Sequence, residues 1–245
     1  MQTEENQDYI TKQLITYLGN KRALLGFIGR GVDEVKKRLG RDKLSFADLF
    51  SGSGVVSRYV KKDASYILSN DLEGYCRTVS QCYLSNPDEA MLRPAYRELL
   101  KYMAGHPMED GFVRRLYSPR DAEDIQPGER VFYTPENARY IDTCRRALNI
   151  LPCEIRHFFL APLLSEASVK CNTSGVFKGF YKDKKTGIGV FGGSGRNALS
   201  RITAPISLPF PVFSSFSCPF DVTSMDAGRL ARSMGKVDLA YIDPP

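Results

Sequence analysis

Asp48-Leu49-Phe50-Ser51-Gly52-Ser53-Gly54 lies between two apolar stretches, and its reading decides the fold. Leu44 to Phe50 reads as a buried strand with an acid near its end, and Val55 to Lys62 as the helix that follows the turn. Ser65 to Ser69 then returns as a second strand, closed by Asn70-Asp71. Strand, tight glycine turn, helix, and strand ending in an acid make half of a doubly wound α/β sheet.

The turn also speaks to chemistry. Small residues after a strand let a ligand lie against the backbone. A dinucleotide fingerprint G-x-G-x-x-G would need glycine or alanine at position 57. Ser57 stands there, which disfavours a pyrophosphate site of the NAD type. An acid followed by F-x-G-x-G suits an amino-acid-bearing nucleoside instead. Asp48 can hold an ammonium while Phe50, Gly52 and Gly54 border the space. Asp71, at the next strand end, can accept hydrogen bonds from both ribose hydroxyls. A strand-end aspartate can equally serve as a helix cap.

Outward from this core, Tyr17-Leu18-Gly19-Asn20-Lys21 precedes a helical pattern over 22–39, with Gly40 as its stop. Leu72 to Ser85 reads as helix, with further helices near 88–104 and 135–149. Residues 175–182 and 188–191 flank the polar turn Asp183 to Gly187 and read as a hairpin. Residues 205–219 carry four of the 14 prolines and read as an irregular return. Phe220 to Thr223 resumes as a short strand, Asp226 follows it, and Ala227 to Met234 reads as helix. Asp238 to Ile242 is a last strand running into Asp243-Pro244-Pro245. Two prolines cannot continue a ladder and form a stiff turn at the sheet's carboxyl edge. There Asp243 and the neighbouring carbonyl could accept hydrogen bonds from an exocyclic amine.

Composition narrows the class. A 245-residue chain with 42% hydrophobic residues can bury a sizeable core. No apolar run approaches the roughly 20 residues of a membrane helix, and the polar, acidic start is not a signal peptide. Thirty-four Lys and Arg against 28 Asp and Glu give a net charge of +6, which favours an anionic partner. The six cysteines form no C-x-x-C pair and there are two histidines, so a zinc site is not expected and a reducing cytoplasm is.

With these motifs in this order, the chain resembles the DNA adenine methyltransferase family. The subgroup has the order cofactor motif, target-recognition region, catalytic motif. Tyr17-x-Gly19-x-Lys21 is similar to its N-terminal cofactor motif, and Asp48-x-Phe50-x-Gly52-x-Gly54 to its F-x-G-x-G motif. Asp71 matches the ribose-binding acid and Asp226 the acid near the cofactor's adenine amine. Asp243-Pro244-Pro245 matches the first three residues of D-P-P-Y.

The resemblance implies a Rossmann-like sheet binding S-adenosyl-L-methionine, incomplete at its C-terminal end. It places the cofactor-binding part of the methyltransferase domain in 1–75, a helical and hairpin target-recognition insertion in 76–218, and the start of the catalytic part in 219–245, from which Asp226 and Asp243 also border the cofactor. It further implies that Asp243 and the Pro244 carbonyl bind the target amine of a flipped base in duplex DNA. The aromatic that follows the second proline in the family lies beyond Pro245, so a fragment or truncated product of weak activity is expected. A cognate restriction endonuclease is the partner such a protein would have, and the sequence is silent on oligomeric state.

Within the insertion, Lys178, Tyr181, Lys182, Lys184, Lys185 and Arg196 are the expected DNA contacts, with lysines suited to phosphates. A solvated basic hairpin would have the same composition. Asn172-Thr173-Ser174 could contact bases or simply form a loop. Two other readings stay open: methylation of another planar amine, in cytosine, RNA or a protein amide, and an inactive remnant that binds cofactor or DNA. Cys218-Pro219 has the reverse order of a proline-cysteine nucleophile motif, against attack through a cytosine ring carbon.

Overall fold

The computed structural model describes residues 4–16, 21–173, 179–193, 195 and 198–244. Two compact units emerge, one from residues 1–87 and 211–245, the other from 88–210. The divisions fall at Pro87/Asp88 and Phe210/Pro211, so the helix after the second strand belongs with the sheet.

The first unit contains α1 (Gln7–Thr11), α2 (Leu25–Leu39), β1 (Leu44–Asp48), α3 (Val55–Val60), β2 (Ala64–Asn70) and α4 (Gly74–Leu84). It resumes with β3 (Phe220–Thr223), α10 (Ala227–Ser233) and β4 (Leu239–Tyr241). The strands run parallel in the order β3-β2-β1-β4. The chain steps outward from β1 to β2 to β3, then crosses back to place β4 on the other side of β1. That reversal between β1 and β4 is the topological switch point, where doubly wound sheets bind ligands at their carboxyl edge.

Side chains alternate along β1 and so reach both faces. Leu44 and Phe46 pack with Val56, Val60 and Ile67 and with Leu25 and Val32 of α2. Ala47 and Leu49 join Leu68 and Leu230 of α10. Helix α2 ends where expected, at Gly40, whose φ of 61° is the left-handed conformation glycine takes without strain.

A buried cation anchors the chain's start to this sheet. The Arg58 guanidinium is stacked between the Tyr9 and Tyr83 rings, 4.5 and 4.2 Å from their centres. It donates to the carbonyls of Tyr9, Lys12 and Gln13. The charge is thus held by carbonyl dipoles and ring faces, the arrangement that makes burial tolerable.

The second unit contains α5 (Glu89–Gly105), α6 (Phe112–Tyr117), α7 (Pro135–Ala147), α8 (Arg156–Lys170) and α9 (Leu199–Thr203). Helices α5 and α7 lie where the sequence placed them, whereas α8 occupies a stretch to which the sequence reading gave no element. The expected hairpin is also altered. Among the described residues it is a turn closed by one antiparallel bridge, Lys182 to Gly189, with no assigned strand. The turn is held by the Asp183 carboxylate, which accepts from the N–H groups of Lys185 (3.0 Å) and Thr186 (2.8 Å). Gly192 and Gly193, with φ of 84° and 74°, then break the extended chain. Asn172 is a buried strut, not a free base-reading group. Its amide donates to the Val131 and Val190 carbonyls, and its oxygen accepts from Gly192 N–H.

Candidate active site

The glycine turn after β1 is fastened from both sides. Leu49 N–H donates to the Tyr241 carbonyl of β4 at 3.1 Å, and Ser51 N–H to the Asn70 carbonyl of β2 at 2.8 Å. Gly52 and Gly54 adopt φ of 50° and 72°, so the turn needs residues without Cβ. Asp71 accepts from Gly52 N–H (2.8 Å) and from Glu73 N–H (3.0 Å). It therefore acts as a local brace as well as a half-buried acid, and each of its oxygens retains a further lone pair.

Asp48 is 1% exposed at the end of β1. One oxygen, Oδ2, accepts from the Ser57 hydroxyl at 2.7 Å, while Oδ1 has no hydrogen-bond partner. Burial pushes this carboxyl up to about 7, against the opposing pull of Ser57 and the Phe50 N–H. The nearby carboxylates of Asp71 and Asp243 push it the same way as burial. Phe50 is half-buried against the cluster that includes Leu49 and Leu230.

At the end of β4, Asp243 forms an ion pair with Lys21, Oδ2 to Nζ 2.9 Å. Both side chains are partly exposed, at 34% and 25%. Residues more than 200 positions apart in sequence thus meet at the switch point. Asp226, exposed after β3, caps α10 by accepting from Arg229 N–H at 2.9 Å. Pro244 follows Asp243 and is exposed. The sheet's carboxyl edge therefore gathers Lys21, Asp48, Phe50, Gly52, Gly54, Asp71, Asp226, Asp243 and Pro244. Tyr17 and Pro245 lie outside the described residues.

Two contributors escaped the sequence reading. Ser57 counted only as the absent third glycine, yet its hydroxyl orients Asp48. Asn70 is 1% exposed and fully bonded. Its amide donates to the Leu49 and Met225 carbonyls, and its oxygen accepts from Thr223 Oγ1 and Met225 N–H. It ties the ends of β1, β2 and β3 into one edge. An asparagine beside a prominent aspartate carries no sequence signal of that role.

The expected DNA contacts lie in the second unit. Lys184 and Lys185 are exposed on the Asp183 turn, and Lys182 Nζ lies 5.3 Å from the Phe180 ring centre. Tyr181 packs against the Val131, Phe191 and Ile202 cluster. Lys178 and Arg196 lie outside the described residues. No group of His, Cys, Asp and Glu suited to a metal occurs among the described residues, and no described helix is long and apolar enough to cross a membrane.

The edge geometry fits a cationic amino-acid nucleoside in its donor set. Asp48 Oδ1 is a buried acceptor without a donor, and acids outnumber cations around it.

Comparison with known proteins agrees. The chain is 27% identical over 237 residues to the type II methyltransferase M.NlaIII of Neisseria lactamica, covering 94% of this chain and 64% of that protein. It is 30% identical over 242 residues to modification methylase LlaI of Lactococcus lactis subsp. lactis, covering 94% and 35%. It is 29% identical over 236 residues to type II methyltransferase M.CviAII of Paramecium bursaria Chlorella virus 1, covering 94% and 64%. The chain thus spans less than two thirds of the length of these relatives. No solved structure matches it significantly. The sequence profile of D12 class N6 adenine-specific DNA methyltransferases matches from residue 17 to residue 245, nearly the whole chain, and by that match the chain belongs to this family.

Proposed function

We propose that this chain binds S-adenosylmethionine at the β1–β4 switch point and directs its methyl group to the N6 amine of adenine in duplex DNA. The observation that carries the reading is the Lys21–Asp243 ion pair, set beside a glycine turn hydrogen-bonded to β4. Bound there, the cofactor would supply an electrophilic methyl group on a positively charged sulfur, its S–CH3 bond breaking to leave the neutral thioether S-adenosylhomocysteine.

The protein's part is binding and orientation. Asp48 Oδ1 accepts a hydrogen bond from the methionine ammonium, with Lys21 and Tyr17 bordering that end. Asp71 accepts from the ribose hydroxyls while continuing to brace Gly52, and Asp226 lies toward the adenine moiety. Asp243 and the Pro244 carbonyl accept from the target amine, and Pro245 is assigned to the same catalytic motif. An amine conjugated to a purine ring is a poor nucleophile because its lone pair is delocalised. Two acceptors drawing on its protons localise that pair on nitrogen as the new N–C bond forms. The surplus nitrogen proton then leaves to solvent. Positioning and fixed dipoles carry such a reaction without a covalent enzyme intermediate.

Lys178, Tyr181, Lys182, Lys184, Lys185 and Arg196 are assigned to the DNA side, and a cognate restriction endonuclease in the cytoplasm is the partner that fits a modification enzyme. The test is methyl-labelled cofactor with duplexes of mixed sequence, followed by nucleoside analysis. Label in N6-methyladenine is expected. Label in cytosine, RNA or protein, with none in adenine, would refute the reading.

A further inference from the structure

The geometry points to a second nucleic-acid contact in the 88–210 unit: an arginine-lined cavity that seats a phosphate of the DNA backbone. This rests on the DNA reading above and assigns a part of it that the lysine-rich turn does not cover.

The cavity has a volume of about 480 Å³ and is lined by Arg114, Arg115, Arg120 and Arg130 together with Asp110 and Glu129. Four arginines stand against these two acids, so the lining keeps a positive excess. Asp110 is bonded to Arg139 at 2.6 Å and also lies 3.8 Å from Arg114 Nε. Glu129 spends its oxygens on the N–H groups of Arg120 and Gln126, at 2.9 and 2.8 Å. Arg114 is consumed as a wall: its terminal nitrogens donate to the Pro119 and Arg120 carbonyls at 2.8 and 2.9 Å. Its Nε is buried without a hydrogen-bond partner. The loop and turn carrying the rim are therefore held in shape before any ligand arrives.

Three exposed guanidinium groups remain. Arg115 uses Nε on the Gly111 carbonyl at 3.1 Å, and Arg130 lies 5.6 Å from the Tyr117 ring centre. Among the described residues, Arg115, Arg120 and Arg130 form no ion pair with a carboxylate. Planar multidentate donors lining one depression, in excess over its two acids, match a phosphodiester's oxygens. Phosphate contacts position a protein on DNA and carry no base information. The site is thus assigned to affinity and register, not to sequence choice.

Duplex binding by R115A, R120A and R130A, measured across salt concentrations, tests this. Each substitution is expected to weaken binding about 3- to 10-fold at moderate salt, equally on unrelated sequences. Each should lower the slope of log affinity against log salt by about one. R38A, which removes a cation already paired with Glu34, should change the slope far less. Unchanged affinity and slope in all three variants, with adenine methylation intact, would overturn this site and leave the proposed function standing. Loss confined to one DNA sequence would make these residues base readers and overturn it too. Wild-type chain that binds no duplex at all would sink both readings.

Discussion

Asp243→Ala is expected to lower the single-turnover rate of adenine methylation by roughly 10²–10³-fold, with a much smaller loss of cofactor affinity. The side chain stands at the end of β4, held 2.9 Å from Lys21. Alanine would remove an acceptor for the target amine and leave the strand pairing of Leu239 to Tyr241 with β1 untouched. The effect should therefore fall on the chemical step, as the split between rate at saturation and half-saturating cofactor concentration would reveal. A variant that keeps a rate within tenfold of wild type would remove Asp243 from the reacting centre.

The second large effect separates stability from function. Asp48→Asn is expected to stabilise the ligand-free protein at pH 8 by a few kcal/mol, on the order of 3, while weakening cofactor binding at least tenfold. Burial, with Asp71 and Asp243 nearby, pushes the folded carboxyl up to about 7 from the ordinary 3.8 of the unfolded side chain. Below both values the two states are protonated alike and the group contributes nothing. As pH rises from about 4 to about 7, the unfolded chain loses its proton first, and folded stability falls. Asparagine removes that loss. Thermal unfolding of the two proteins should differ little at pH 4 and progressively more toward pH 8. A melting difference that stays flat with pH would deny the strained carboxylate, and unchanged cofactor affinity would deny its purpose. A buried acceptor kept without a donor is costly in the free protein, and a cationic ligand gives it a reason to be there.

The sheet was legible in the sequence because each element carried a local mark. β1 and β2 were apolar runs closed by acids, the turn between β1 and α3 needed glycine, and two prolines ended the last strand. The meeting of Asp243 with Lys21 was legible only through family resemblance, since no local rule links positions so far apart. Helix α8 was hidden because its burial wraps Phe158, Phe159, Ala161, Leu163 and Ser165, leaving no single apolar stripe, and Pro162 lies inside it. The hairpin was overread because aromatic and basic residues at strand-like spacing were weighed above Gly189, whose site has no room for a Cβ beside Val131. Ser57 and Asn70 were missed for a different reason. Their roles are hydrogen bonds made to neighbours of the obvious acids, and only the closed edge of the sheet brings donor and acceptor together. The arginine cavity shares that invisibility, being assembled from α6 and two loop segments.

The central claim is that one edge, built from the turn after β1 and the end of β4, holds the cofactor. Amide hydrogen exchange of the 245-residue chain, with and without S-adenosylhomocysteine, tests it most directly. Slowed exchange is predicted at Phe50 to Gly54 and at Tyr241 to Asp243 together. Protection confined to residues 88–210, or to only one of the two strand ends, would contradict it.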